Sequence, residues 1–244
     1  MGTERSPAIS AHRGGREVAA SGTYAAYQFA LDAGAEYVEV DARRTADRRL
    51  VCYHRDRPRP LAAPVADLTY DRLCRAARYQ VPLLADVLSL LGGRASLHLD
   101  VKEASAALPA AQMAAAELGP DRLLATTRNA DVARGLLHAR PDLRVGLTVG
   151  GDLAESLRFA ASREMSASRL DTVTAAGTSW AALHYRVARA GLAAQCRDQG
   201  IGTLVWTVNG DRALSEWLAS PDVDILVTDR PARALELRIG RVRP

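Results

Sequence analysis

Residues 95–118 read ASLHLDVKEASAALPAAQMAAAEL and contain the repeating structural unit of the chain. Apolar and polar side chains alternate over residues 95–102, which predicts a β-strand. The alanine-rich stretch at residues 105–118 has the composition and length of a helix. A strand followed directly by a helix is typical of parallel sheets, because parallel strands need a long crossover connection.

The same rhythm of strand and helix runs through all 244 residues. We predict strands at residues 8–13, 37–42, 50–54, 95–102, 122–126, 144–149, 180–184, 203–208 and 225–228. We predict helices at residues 23–33, 83–91, 105–118, 131–139, 152–161, 192–199, 211–218 and 232–237. This pattern indicates an α/β fold, a (β/α)₈ TIM barrel with one extra short hairpin strand. A doubly wound open sheet is the alternative, but no glycine-rich dinucleotide-binding motif follows the first strand.

Composition narrows the class of protein. The chain is 48% hydrophobic and 25% charged and has no linker-like stretch, which predicts one domain over residues 1–244. Its net charge of +4 is spread along the sequence, so nucleic acid is not an expected partner. Three well-separated cysteines favour neither a disulfide framework nor a zinc site. No signal-peptide or membrane-spanning stretch is evident, so we expect a cytoplasmic protein, and the oligomeric state stays open.

Polar side chains gather at the ends of the predicted strands, where (β/α)₈ barrels carry their chemistry. Glu39 and Asp41 are two residues apart on one strand, so their carboxylates point to the same face. His98, Asp100 and Lys102 share a face of the strand at 95–102 for the same reason. Carboxylates that converge in this way repel one another unless a divalent cation neutralises them, and oxygen ligands suit Mg²⁺ or Ca²⁺.

Lys102 is the only lysine among the 32 basic residues of the chain. One explanation is drift from lysine to arginine at every position where any cation suffices. The other is that position 102 requires a compact ammonium group, because a planar guanidinium would not fit. The second explanation is favoured because Lys102 shares a strand face with Asp100.

Six short motifs follow one another along the chain. They are Ala11-His12-Arg13-Gly14, Gly34-Ala35-Glu36-Tyr37-Val38-Glu39-Val40-Asp41, Leu50-Val51-Cys52-Tyr53-His54, Leu99-Asp100-Val101-Lys102, Trp206-Thr207-Val208-Asn209 and Thr228-Asp229-Arg230-Pro231. In this order and spacing, from residue 9 to about residue 237, they resemble the glycerophosphodiester phosphodiesterase family, whose barrel is similar to that of the phosphatidylinositol phosphodiesterases. The resemblance implies a metal-dependent enzyme that hydrolyses a glycerophosphodiester, a small molecule, to glycerol 3-phosphate and an alcohol.

The resemblance also implies roles for individual residues. They are acid and base catalysis by His12 and His54, phosphate contact by Arg13 and Lys102, and binding of Mg²⁺ or Ca²⁺ by Glu39, Asp41 and Asp100. Trp206 is expected to form a wall of the substrate site if its side chain faces the barrel interior. In the implied route, one histidine deprotonates the glycerol 2-hydroxyl, which attacks phosphorus, and the other protonates the departing alcohol. Water then opens the cyclic phosphate.

The chain departs from the family pattern at three places. Ala20-Ser21-Gly22-Thr23 replaces a Pro-Glu-Asn-Thr turn, Asp100 replaces a glutamate, and His54-Arg55-Asp56-Arg57 makes an acidic segment basic. These departures predict a changed substrate, with anionic head-group binding as one role for the arginines. His98 either compensates for the shorter Asp100 or fills the barrel. Two other functions stay open, a phospholipase D-like lyase that releases a cyclic phosphate and a barrel that binds phosphate esters without catalysis.

Overall fold

The computed structural model describes residues 6–150 and 163–242, and its nine strands form one sheet. The strands are β1 (Ala8–Ala11), β2 (Tyr37–Arg44), β3 (Leu50–Cys52), β4 (Ser96–Val101), β5 (Leu123–Thr127), β6 (Arg144–Val149), β7 (Trp180–His184), β8 (Gly202–Trp206) and β9 (Ile225–Thr228). Eight of them pair in parallel, and β1 pairs with both β2 and β9, which closes the ring. The predicted (β/α)₈ barrel is confirmed, and β3 is the extra strand outside the ring, antiparallel to β2.

Helices cover the outside of this ring. In the described residues, the α-helices of six or more residues are α1 (Tyr24–Asp32), α2 (Tyr70–Ala77), α3 (Leu84–Leu91), α4 (Ala104–Leu118), α5 (Ala130–Ala139), α6 (Arg163–Ala175), α7 (Ala193–Asp198), α8 (Asp211–Leu218) and α9 (Pro231–Val242). Two of them, α2 and α6, are not expected from the sequence pattern. The charged sequence of α2 buries only Leu73, which packs in one cluster with Val51, so too few apolar residues mark this helix in the sequence. The predicted helix at residues 152–161 lies outside the described residues.

The barrel interior changes from apolar to polar along its axis. Leu124, Ala182, Leu204, Ile225 and Val227 form a buried apolar cluster inside the ring. The buried polar side chains Glu39, Asp41, His98 and Thr126 lie on the neighbouring strands β2, β4 and β5. Asp41 and Thr126 lie past the midpoints of their strands, and Glu39 and His98 lie near the middle of theirs, so the polar layer extends from the barrel interior to the carboxyl-end mouth.

The extra strand β3 returns the chain to the barrel mouth. It pairs with β2 so that Ala42 lies opposite Cys52, and Tyr53 N donates to Asp41 O at 2.9 Å. The strand predicted at residues 50–54 ends at Cys52, because the next two residues leave the ladder beside Asp41. The strand predicted at residues 8–13 likewise ends at Ala11, since His12–Gly14 form a single turn of 3₁₀-helix.

Within the described residues, no helix combines the length and the apolar composition that a membrane crossing requires.

Candidate active site

The register between β2 and β4 brings three carboxylates together at the barrel mouth. Asp41 pairs with Asp100 across the two strands, and Glu39 lies one pleat below on the same face as Asp41. Ligand oxygens of Glu39, Asp41 and Asp100 all lie within 4.8 Å of one another. We call this group the carboxylate triad. The period-two pattern of the sequence predicts that Glu39 and Asp41 share one face of β2. The register between β2 and β4 then brings Asp100 next to them.

Glu39 is the least compensated member of the triad. Its side chain is buried, and Oε2 accepts a hydrogen bond from Arg13 N at 2.8 Å. Burial and the nearby charges of Asp41 and Asp100 raise the pKa of Glu39 well above its usual value. Among the described residues, no cationic side chain forms an ion pair with Glu39. A buried carboxylate in this state favours a cation nearby.

Asp41 is surrounded by positive groups. Its Oδ1 lies 2.8 Å from Lys102 Nζ, its Oδ2 lies 3.1 Å from His54 Nδ1, and Arg13 Nε is 3.8 Å from Oδ2. Burial by itself would raise the pKa of Asp41, but the His54 hydrogen bond and the Lys102 charge outweigh burial and lower it. Asp41 is therefore a stable carboxylate that connects the triad to a histidine.

Lys102 lies between two members of the triad. Its ammonium contacts Asp41 and Asp100, and only 19% of its side chain is exposed. Burial alone would lower the pKa of Lys102, but the charges of Asp100 and Asp41 outweigh it and raise the pKa. The single lysine of the chain thus lies at the one place in the described structure where three carboxylates converge.

The donor set of the triad fits a hard divalent cation. All three side chains offer carboxylate oxygens, which Mg²⁺ and Ca²⁺ prefer. Three carboxylates face the cationic side chains of Lys102 and Arg13, so one negative charge remains uncompensated when all are ionised. Burial, and then the charges of Asp41 and Asp100, raise the pKa of Glu39. Glu39, Asp41 and Asp100 are the residues that could hold such a cation.

A chain of hydrogen bonds orients Asp100. Thr126 Oγ1 donates to Asp100 Oδ1 at 3.1 Å, and His98 Nε2 lies 3.0 Å from the same Thr126 hydroxyl. Because the single Thr126 proton goes to Asp100, His98 Nε2 must donate, and His98 Nδ1 accepts from Ser10 Oγ at 3.3 Å. Burial lowers the pKa of His98 to about 4, which agrees with this neutral form. His98 therefore positions Asp100 through Thr126, a partner the sequence pattern does not reveal.

His12 is held by a carboxylate from the other end of the chain. Its Nδ1 lies 2.7 Å from Asp229 Oδ1, and Asn209 Nδ2 donates to Asp229 Oδ2 at 2.8 Å. Burial alone would raise the pKa of Asp229, but the His12 and Asn209 hydrogen bonds outweigh burial and lower it. Asp229 thus accepts the proton on Nδ1 and leaves His12 Nε2 free. Asp229 and Asn209 belong to quoted motifs, but the sequence gives no sign of this role.

The backbone after β1 adopts left-handed conformations. Arg13 has φ 51° and ψ 37°, which is costly for a residue other than glycine. Gly14 follows with φ 79°, and a Cβ atom there would lie 2.5 Å from the Ala26 carbonyl carbon. This tight turn directs Arg13 N toward Glu39, while the buried Arg13 Nε has no hydrogen-bond partner. The strained turn therefore places an unused donor beside the triad.

The site opens into a pocket of about 240 Å³ at the barrel mouth. It is lined by seven of the eight site residues predicted from the sequence: Glu39, Asp100, Lys102, His12, Arg13, His54 and Trp206. Trp206 lines the opposite wall, packed under the Arg128 guanidinium at 5.3 Å and against the His184 ring at 5.2 Å. Within residues 6–150 and 163–242, Trp206 Nε1 and Thr148 Oγ1 are buried without a hydrogen-bond partner, and both residues belong to this lining. Asp41, the remaining predicted residue, lies behind the pocket.

A second cavity of about 370 Å³ adjoins the pocket and shares Arg13 and His54 with it. We call it the arginine groove. Its other polar lining includes Arg16, Arg55, Arg59, Ser21, Tyr53 and Tyr79. His54 therefore lies at the junction of two cavities, whereas His12 lines only the barrel pocket.

Comparison with known proteins identifies relatives of this chain. A model of the glycerophosphoryl diester phosphodiesterase family matches residues 12–233, which confirms the family resemblance of the sequence motifs. A glycerophosphodiester phosphodiesterase of Bacillus altitudinis is 31% identical over 107 residues. That match covers 38% of this chain and 44% of the relative, less than half of its length.

Solved structures share the fold over nearly the whole chain. A glycerophosphodiester phosphodiesterase from Parabacteroides distasonis has a TM-score of 0.78 at 21% identity, with 98% of this chain and 99% of that chain covered. A phosphodiesterase of Oleispira antarctica, solved in complex with the product sn-glycerol-3-phosphate, has a TM-score of 0.74 at 18% identity, with 95% and 96% covered. These similarities support the (β/α)₈ fold.

The relay through Thr126 generates a test of the triad as a cation site. Thr126→Val keeps the side-chain shape but leaves Asp100 Oδ1 and His98 Nε2 without a partner. We expect the dissociation constant for Mn²⁺, measured by calorimetry, to rise by roughly 10–100-fold. Thr127→Val removes the neighbouring buried hydroxyl of β5, which accepts only from Asn129 N, and serves as the matched control. Equal Mn²⁺ affinity in both variants would show that the relay does not orient a ligand.

Proposed function

Because the chain belongs to the glycerophosphoryl diester phosphodiesterase family, a family of phosphoric diester hydrolases, we propose that it hydrolyses a glycerophosphodiester to glycerol 3-phosphate and an alcohol. The observation that carries the proposal is the lining of one pocket by His12, His54, Arg13 and Lys102 beside the carboxylate triad. A phosphodiester needs its negative charge offset and its leaving oxygen protonated, and this pocket contains groups for both tasks.

A divalent cation in the carboxylate triad and two cationic side chains, Arg13 and Lys102, would bind the phosphate. Glu39, Asp41 and Asp100 would hold Mg²⁺ or Ca²⁺, and a bound divalent cation offsets the charge of the phosphate and of the transition state. Arg13 supports this role because its buried Nε has no hydrogen-bond partner among the described residues. Lys102 contributes a compact charge whose position is set by two carboxylates.

The glycerol group would occupy the wall opposite the triad. Trp206 Nε1 and Thr148 Oγ1 are buried polar atoms without a hydrogen-bond partner in the described part of the chain, so each would gain a hydrogen bond when a glycerol hydroxyl approaches. Arg128 and His184 hold the Trp206 ring in place through their ring contacts. This arrangement favours a small polyol at that wall.

The two histidines differ in position, which suggests different roles. His12 lies inside the barrel pocket, and its Asp229 partner leaves Nε2 as the proton acceptor. His54 is half-exposed at the junction with the arginine groove, where the alcohol can depart. We therefore assign His12 as the base and His54 as the acid.

The reaction follows from this assignment. His12 Nε2 takes the proton of the glycerol 2-hydroxyl, and the hydroxyl oxygen attacks phosphorus. The bond between phosphorus and the alcohol oxygen breaks, and His54 donates a proton to that oxygen. Water then opens the cyclic glycerol phosphate, with His54 as base and His12 as acid, which gives glycerol 3-phosphate. Asp229 and Asp41 stabilise the imidazolium that forms on each histidine.

Product analysis tests the proposed activity. The full chain with added Mg²⁺ or Ca²⁺ should convert a panel of glycerophosphodiesters to glycerol 3-phosphate. Phosphorus NMR monitors the conversion. Excess chelator should abolish turnover. Accumulation of the cyclic phosphate would identify a lyase instead, and metal binding without turnover of any diester would identify a non-catalytic phosphate-ester binder.

The acid and base assignments generate a prediction for histidine variants. His12→Ala and His54→Ala should each lose on the order of 10²–10⁴ in kcat toward an alkyl diester. With a 4-nitrophenyl leaving group, which departs without protonation, His54→Ala should recover most of its rate in the cyclisation step. His12→Ala should not recover. Equal recovery of both variants would contradict the assignment.

Lys102→Arg tests why one lysine persists. The ammonium fits between Asp41 and Asp100, and a bulkier planar guanidinium displaces one of them. We expect kcat/KM to fall by at least about 10²-fold, because a displacement of about 1 Å has this effect at other active sites. The thermal midpoint of unfolding should change little. A variant with parental kcat/KM would show that any cation suffices at position 102.

A further inference from the structure

The arginine groove holds cationic side chains that the fold does not use. Arg55 and Arg59 are exposed, and within the described part of the chain neither forms an ion pair. Arg16 is also exposed, and its Nε donates to Ser21 Oγ at 3.4 Å. Their neighbour Arg57 differs, because it donates to Ala62 O and pairs with Asp56 on its own loop. The groove therefore contains Arg55 and Arg59, two arginines without an ion pair in the described part of the chain.

The charge of the groove is not balanced by its acidic lining. Asp41 is the acidic residue that lines it, and Asp41 is already paired with Lys102 and His54. Tyr53 and Tyr79 also line the groove; burial raises the pKa of Tyr79 to about 12, so it is neutral. An excess of positive charge thus faces a cavity large enough for a small polar group.

The position of the groove relates that charge to the reaction. Arg13 and His54 line both cavities, so the groove begins where the scissile phosphate and its leaving oxygen would lie. Ser21 and Gly22 form part of its lining and leave room that longer side chains would occupy. A substrate that places its glycerol against Trp206 extends its alcohol group past His54 into the arginines.

We propose that the arginine groove binds a second anionic group, a phosphate or carboxylate carried by the alcohol half of the substrate. This inference rests on the proposed glycerophosphodiesterase function and adds the substrate class. Guanidinium groups bind phosphate and carboxylate through paired hydrogen bonds, and a cationic alcohol such as choline is repelled. The anionic group has two possible sources, a free diester or the head group of a lysophospholipid.

The test compares substrates that differ by one charged group. The metal-loaded full chain is assayed with glycerophosphoinositol 4-phosphate, glycerophosphoinositol and glycerophosphocholine. We expect kcat/KM to be highest for the phosphorylated diester and lowest for the choline diester. In the double variant Arg55→Ala, Arg59→Ala, the ratio between the phosphorylated and unphosphorylated inositol diesters should fall about 10-fold, because each half-exposed charge pair contributes up to fivefold. Lysophosphatidylinositol 4-phosphate and its deacylated form are assayed side by side. The compound with the larger kcat/KM identifies the source of the anionic group.

Arg72→Ala is the matched control, because Arg72 is an exposed arginine that lines a separate hollow with Arg75 and Arg78. Arg72→Ala should leave unchanged the ratio of kcat/KM between the phosphorylated and unphosphorylated inositol diesters. A value of this ratio near one in the wild type, or equal values in the wild type and the double variant, would overturn the proposal. Calorimetric binding of the same diesters to His12→Ala, which needs no turnover, separates the two questions. Selective binding of the phosphorylated diester by His12→Ala, together with no turnover of any diester by the metal-loaded wild type, would refute the proposed hydrolysis and leave the groove assignment standing.

Discussion

Mutual repulsion among Glu39, Asp41 and Asp100 is the constraint on which the arrangement of the barrel mouth depends. Their oxygens lie within 4.8 Å of one another in a largely buried setting, where like charges interact strongly. Each carboxylate has its own compensation: a backbone N–H at Glu39, Lys102 and His54 at Asp41, and Lys102 with the Thr126 hydroxyl at Asp100. The remaining negative charge suits the mouth to a divalent cation, which in the proposed function offsets the charge of an anionic phosphodiester.

The structure divides the substrate site into two sides with different chemistry. Toward Trp206 and Thr148 the wall is uncharged and offers buried polar atoms suited to hydroxyl groups. Toward His54 the site continues into a groove with an excess of arginine. In the proposed function, this asymmetry gives the two histidines separate tasks and separates recognition of the glycerol half from selection among alcohols. The loop after β3 would then act on substrate choice without altering the triad.

Some parts of this site are predictable from the sequence and others are not. Period-two alternation predicts that Glu39 and Asp41 share a face, and the motif order predicts the barrel and its family. The His12–Asp229 contact joins residues 217 positions apart, and it exists only because β1 pairs with β9 to close the ring. The Thr126 relay depends on the register of β4 against β5, which no local pattern specifies. The arginines after His54 look alike in sequence, and only the folded loop directs Arg57 away from the groove.

Diffraction from crystals soaked in Mn²⁺ tests the central claim most directly, because anomalous scattering locates the ion without reference to activity. The claim that the triad is a cation site predicts one strong anomalous peak bonded to an oxygen of each of Glu39, Asp41 and Asp100. A peak elsewhere, or an empty triad with Lys102 still paired to Asp41 and Asp100 at saturating Mn²⁺, would contradict it.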